Sequence, residues 1–169
     1  MSKKIIILSM FLAIMVFISG CLDDKTNGEP ANKTETITSE QIPTANLPPG
    51  FTFMAVHETE VDIGTSSRKA NEGVYRNDGD EVYVQVLNSE NPEALKDEYK
   101  AQYKDANYNP FTEISFNGHN ATQVKYYMTE NGTQIAKYNI IWTTKNSMIK
   151  VGGSVDPQKV IDLAKATNS

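Results

Sequence analysis

The chain has one cysteine, one tryptophan and two histidines in 169 residues. A single cysteine excludes an intrachain disulfide framework and a cysteine-based zinc site. No run of lysine and arginine is present, and the formal charge is −5. An acidic surface without a basic patch repels phosphate backbones, so nucleic acid is excluded as an expected partner. Phosphate-loop, EF-hand and paired-histidine metal spacings are missing too, so neither a cofactor nor a metal is expected. No catalytic constellation is readable, and the domain is expected to be non-enzymatic.

What is present begins with targeting. Lys3 and Lys4 form a short positive start, and Ile5 to Ile18 is apolar apart from Ser9. Fourteen residues are short of the roughly 20 a spanning helix needs, but they suit the apolar region of a secretory signal. Ile18-Ser19-Gly20-Cys21 follows. This tetrad resembles the lipobox of lipoprotein signal peptides. Small Ser19 and Gly20 let a protease reach the backbone between Gly20 and Cys21. The Cys21 thiol takes a diacylglyceryl group and becomes the new N-terminus. Two chains give stable anchoring where one would be marginal. The expected location is therefore a cell membrane, lipid-anchored through Cys21 and facing outside the cytoplasm. Without Lys3 and Lys4, fourteen basic residues face twenty-one acidic ones, a formal −7.

Residues 1–20 are thus read as the signal peptide, 21–49 as a disordered linker and 50–169 as the globular domain. The linker is rich in Thr, Asn, Asp, Glu and Pro and cannot bury enough apolar surface to offset ordering. As a flexible coil it would span roughly 30 Å. Asn32, Asn120 and Asn131 each begin an Asn-x-Thr sequon and are candidate glycan acceptors.

From Phe51 the pattern becomes that of a folded α+β domain. Strands are expected from Phe51 to Glu58 and from about Ser67 to Arg76. The turn Asn77-Asp78-Gly79-Asp80 leads into Val82, Val84 and Val86, which alternate with Tyr83, Gln85 and Leu87. Asn91-Pro92-Glu93 opens a helix whose buried stripe is Leu95, Tyr99, Tyr103 and Ala106. Four strands follow: Phe111–Phe116, His119–Met128, Thr133–Thr143 and Ser147–Val151. Asn117-Gly118 and Asn131-Gly132 supply the left-handed backbone that two-residue hairpin turns demand. Asp156-Pro157 caps a last helix, with Val160, Leu163 and Ala164 inward. The expected architecture is βββ-α-ββββ-α, an antiparallel sheet of about seven strands flanked by two helices.

Pro49-Gly50-Phe51-Thr52-Phe53, Val82 to Val86, Phe116 to Ala121, Ile140-Ile141-Trp142 and the helix from Asp156 to Ala166 resemble PsbP-like domains. Such domains occur in extracytoplasmic lipoproteins, including those of methanogenic archaea. The resemblance covers Phe51 to Thr167 and implies an antiparallel sheet flanked by helices. It carries no shared catalytic residues.

Several side chains invite a chemical reading. His57 and His119 would serve a hydrolase only with a nucleophile and an orienting group beside them. Asp78, Asp80 and Glu81 share a turn and could meet Ca²⁺, although turn geometry already explains Asp78-Gly79. Six tyrosines from Tyr99 to Tyr138 fall mainly at core spacing. Tyr127 is turned away from Tyr126. Gly152-Gly153 after a strand implies a bulge or a close backbone approach. The resulting expectation is a binding or accessory domain for an envelope protein or a small ligand. The alternatives are a structural envelope component, or a hydrolase using His57 or His119.

Overall fold

The computed structural model describes residues 40–169. Gly20, Cys21 and Asn32 lie outside the described residues, as do the signal segment and most of the linker. The elements are β1 (Thr52–Ile63), β2 (Ser66–Asn77), β3 (Asp80–Asn88), α1 (Pro92–Ala101), β4 (Phe111–Phe116), β5 (His119–Glu130), β6 (Thr133–Thr143), β7 (Ser147–Ser154) and α2 (Pro157–Lys165). The order is the expected one. The seven strands form one sheet in the order β1-β2-β3-β7-β6-β5-β4, and every neighbouring pair is antiparallel. Two meanders are joined where β3 pairs with β7, which leaves β1 and β4 as the edges.

The hairpin turns follow from local chemistry. Asp78 and Gly79 have φ of 49° and 87°, Asn117 and Gly118 50° and 83°, and Asn131 and Gly132 50° and 78°. Positive φ at both central residues matches the right-handed twist of the flanking strands. Gly118 has open space where a Cβ would stand, so only its φ demands glycine. Gly118→Ala is expected to cost about 1 kcal/mol, the usual penalty for a left-handed L-residue, as read from a urea unfolding midpoint.

Both helices begin as the sequence indicates. The Asn91 side chain accepts from the Ala94 amide, the Asp156 side chain accepts from the Gln158 amide, and proline follows each cap. α1 ends at Ala101, earlier than its apolar stripe suggested. Beyond it the backbone bonds tighten, with Tyr103 N–H to the Lys100 carbonyl and Lys104 N–H to the Ala101 carbonyl. Tyr103 therefore lies in a turn, and Ala106 just beyond it. Tyr103 still packs, edge-on, against Tyr99 and Phe111.

The sheet has a core on each face. On one, α2 lays Val160, Leu163 and Ala164 over Val84, Ile140, Trp142 and Val151. On the other, Leu95 and Tyr99 of α1 join Val61, Ile63, Leu87, Val124, Ile141 and Met148. Period-two alternation of side chains in the central strands feeds both faces at once. β1, β5 and β7 all run further than expected, to Ile63, Glu130 and Ser154.

The packed body starts before Phe51. Ile42 is buried in the α2-side core, the Tyr75 hydroxyl donates to the Pro43 carbonyl at 2.9 Å, and the Asn168 side chain donates to the Glu40 carbonyl at 3.2 Å. A linker running to Pro49 is thus too long at its C-terminal end. Composition missed this because one isoleucine suffices: Gly73 leaves the space Ile42 fills, and a Cβ there would come within 2.4 Å of it. Ile42→Ala is expected to cost about 2–4 kcal/mol by equilibrium denaturation, the range for emptying a buried aliphatic position.

Candidate functional site

Each of three adjacent central strands carries one long polar side chain among apolar neighbours: Gln85 in β3, Lys150 in β7 and Asn139 in β6. Register brings them together. Gln85 lies opposite Lys150, while Tyr83 and Asn139 both lie opposite Gly152. All belong to the face that α1 covers, at a place where its apolar packing stops. There a cavity of about 280 Å³ opens, lined by Tyr83, Gln85, Tyr99, Tyr103, Tyr126, Asn139 and Lys150, with Glu60, Val61, Asp62 and Gln102 completing its border.

Gly152 makes the site possible. A Cβ there would lie 1.8 Å from the Asn139 Oδ1 and 3.0 Å from the Tyr83 hydroxyl. The β6–β7 register shifts between Tyr138 and Asn139, and Gly153 takes φ of 109° opposite this irregularity. The expectation of a bulge or close approach at Gly152-Gly153 is met in both senses.

The polar atoms form a connected network. The Asn139 amide nitrogen donates to the Tyr99 hydroxyl at 2.7 Å, and Tyr83 donates to the Asn139 carbonyl oxygen at 3.2 Å. The Tyr99 and Tyr103 hydroxyls are 3.2 Å apart. The Lys150 amine donates to the Gln85 carbonyl oxygen at 3.1 Å, and the Gln85 amide in turn donates to Glu72. Glu72 lies 3.2 Å from the His57 Nε2. The amine also sits 4.9 Å from the Tyr83 ring centre and 5.8 Å from that of Tyr99, between two electron-rich faces.

Burial sets the acid–base character. It pushes the Lys150 amine from its ordinary 10.5 down to about 8, with Glu72 opposing the shift. Lys150 keeps some exposed surface, and its amine lies within the polar network that lines the cavity. Burial also pushes the Tyr83 and Tyr99 hydroxyls well above their usual range, and raises Tyr103 and Tyr126.

A pH dependence follows. Below pH 8 Lys150 is protonated in the folded and unfolded chain alike, and its burial penalises the folded one. Between about 8 and 10.5 the folded chain gives up this proton first, so stability rises with pH, by about 3 kcal/mol at most. Above the ordinary tyrosine value of 10.0 the trend reverses, because the unfolded chain ionises tyrosines that the folded chain keeps neutral. Urea midpoints measured across pH should rise and then fall. Lys150→Met should abolish the rise and keep the fall.

Of the residues singled out in the sequence, Tyr99, Tyr103 and Tyr126 and the Gly152-Gly153 pair belong to this site, and the others do not. His57 is exposed on edge strand β1 and touches the network only through Glu72. His119 begins β5, lies beside the Phe116 and Trp142 rings, and its Nε2 is 2.6 Å from the Ser169 backbone oxygen. Asp80 accepts from the Ser154 hydroxyl at 3.0 Å and from Lys159 at 3.3 Å, while Asp78 lies 3.7 Å from Lys159. The first turn is therefore tied to α2. Among the described residues no group of three or more His, Cys, Asp or Glu is placed to hold a metal. Tyr127 is exposed and packs edge-on against Tyr108, 5.1 Å between ring centres. Asn120 and Asn131 are both exposed. Among the described residues no helix is long and apolar enough to cross a membrane.

Sequence reasoning passed over Gln85, Lys150, Asn139 and Tyr83. A usable signal existed: a lone lysine, glutamine or asparagine inside an apolar strand must find a partner or a cavity.

No protein-family model matches the chain, and no curated protein matches it. A solved structure of partial likeness is that of a GTP binding regulator from Thermotoga maritima, 18% identical, with a TM-score of 0.43 over 70% of this chain and 78% of that one.

Proposed function

We propose that this chain is an extracytoplasmic lipoprotein, tethered through Cys21, whose domain binds a small polar ligand in the Lys150 pocket without transforming it. The observation that carries this reading is the open polar cavity cut into an otherwise apolar α1 face. Burying Lys150, Asn139 and four tyrosine hydroxyls there costs stability that apolar residues would not cost. A concave site with a few convergent polar groups is the usual form of a small-molecule pocket.

Binding is preferred to catalysis on the partners each histidine has. His57 meets a carboxylate and His119 a backbone oxygen, and neither arrangement provides an activated nucleophile. The PsbP-like reading belongs to the same proposal and is supported by the βββ-α-ββββ-α order.

The test is a thermal-shift screen of amino acids, sugars, dicarboxylates, polyamines and nucleosides at millimolar concentration. At least one class should raise the Tm of the wild-type protein, and Lys150→Met or Tyr103→Phe should lose that increment. A ligand present at 100 times its Kd stabilises by about 2.7 kcal/mol, enough to register clearly. Wild-type protein unmoved by every class would end the reading.

A further inference from the structure

The chemistry of the pocket wall narrows the ligand. Its hydrogen-bonding groups are tyrosine hydroxyls and side-chain amides, which are uncharged and able to donate and accept in turn. Its one cation is already answered: Lys150 bonds to Gln85, which bonds to Glu72, and two tyrosine rings flank the amine. Glu72, which holds Gln85, sets a carboxylate one residue beyond the amine, in a chain of net charge −5. An anion entering would find no spare positive charge within. A cation would meet Lys150. A purely apolar ligand would displace water from the hydroxyls that face the opening and leave their remaining donor and acceptor capacity unused.

Size narrows it further. A volume of about 280 Å³ falls just under the usual lower bound of ligand pockets, about 300 Å³. It would hold roughly nine waters at about 30 Å³ each, the bulk of one sugar ring. Aromatic walls with hydroxyl tips suit a molecule whose faces are C–H and whose rim is O–H.

We propose that the pocket takes a small, uncharged, polyhydroxylated molecule of monosaccharide size, an inference that rests on the small-ligand reading above. The Tyr126 and Tyr103 hydroxyls bond its hydroxyl groups, while Lys150 donates to one ring or hydroxyl oxygen. Tyr103 and Tyr126 are the specificity-determining contacts, because both are half-buried and border the open side.

Saturation-transfer NMR and calorimetry on the full-length protein, in a detergent without a sugar headgroup, test this. The probes are glucose, N-acetylglucosamine and myo-inositol, with glutamate, inorganic phosphate and putrescine as charged comparators. At least one uncharged probe should bind saturably with a Kd of millimolar or tighter. Tyr126→Phe, which keeps the ring and removes the hydroxyl, should weaken it five-fold or more, and Tyr127→Ser on the exposed surface should leave it unchanged. Binding of glutamate, phosphate or putrescine in place of the neutral probes, with loss in Lys150→Met, would overturn the ligand class and leave the small-ligand reading standing. Sugar binding indifferent to both Tyr126→Phe and Lys150→Met would place it elsewhere and overturn the assignment. Silence from all six probes would overturn the monosaccharide assignment, while the small-ligand reading would stand or fall on the wider thermal-shift screen.

Discussion

Replacing Gly152 with valine should lower the Tm by about 15 °C or more and in many conditions leave no folded protein. The first cause is steric. Even a Cβ would stand 1.8 Å from the Asn139 Oδ1, and the bulged backbone beside it has no slack, since a Cβ on Gly153 would stand 2.6 Å from the Glu81 carbonyl oxygen. Overpacking of this kind costs about 1–3 kcal/mol. The second cause is polar. Pushing Asn139 aside breaks its bonds to Tyr99 and Tyr83, and each buried group left without a partner costs about 1–3 kcal/mol. The total, about 3–9 kcal/mol, is a large part of the roughly 5–15 kcal/mol by which domains are stable. Each kcal/mol moves the Tm of a domain this size by about 4 °C. Gly79→Asn is the control: φ there is 87°, nothing lies within 4 Å, and asparagine tolerates left-handed backbone, so its cost should stay below about 1 kcal/mol. Calorimetric scans of both variants decide the matter, and equal midpoints would show that the pocket network is dispensable to the fold.

Cys21→Ser should abolish lipid attachment altogether. A serine hydroxyl is a far weaker nucleophile than a thiolate and forms no thioether. The expected wild-type product begins at Cys21 and carries two chains, each CH₂ of which contributes about 0.8 kcal/mol to membrane binding. The variant should keep residues 1–20, because cleavage follows lipid transfer. Its apolar segment Ile5–Ile18 would still hold some of it at the membrane, so fractionation alone is a poor readout. Intact mass and incorporation of a labelled lipid precursor are decisive. A wild-type protein without lipid mass, or a variant that retains it, would refute the anchoring proposal.

How much was legible can be traced through particular elements. The three turns at Asp78-Gly79, Asn117-Gly118 and Asn131-Gly132 were readable because positive φ is a local demand that few residues meet. The two helix starts were readable because a cap and its following proline act within one turn. Element ends were less so. α1 stops at Ala101 although its apolar spacing continues, because Tyr103 is used for packing on Tyr99 and Phe111 and not for another helical turn. Ile42 was lost in a polar stretch, since its partner is the vacancy at Gly73, more than thirty residues away.

The candidate site shows the same division. His57, His119, Asp78 and Asp80 attracted attention by residue type, and the structure gives each an ordinary partner. Lys150, Gln85 and Asn139 attracted none, although each interrupts an apolar strand.

By itself the sequence determined the element order, the hairpin turns, the helix caps and the expectation of a lipid on Cys21. These depend on contacts among residues a few positions apart, or on a motif that a peptidase reads as an extended chain. The meander order of β4 to β7 was legible too, but only the tertiary structure decided that β3 pairs with β7, and in which register β7 meets β6. That pairing sets Gln85 opposite Lys150 and both Tyr83 and Asn139 opposite Gly152. A one-residue slip in either register would send one strand's share of those side chains to the opposite face from the rest. The pocket is thus a product of strand register, and register is settled by which apolar face each central strand must bury.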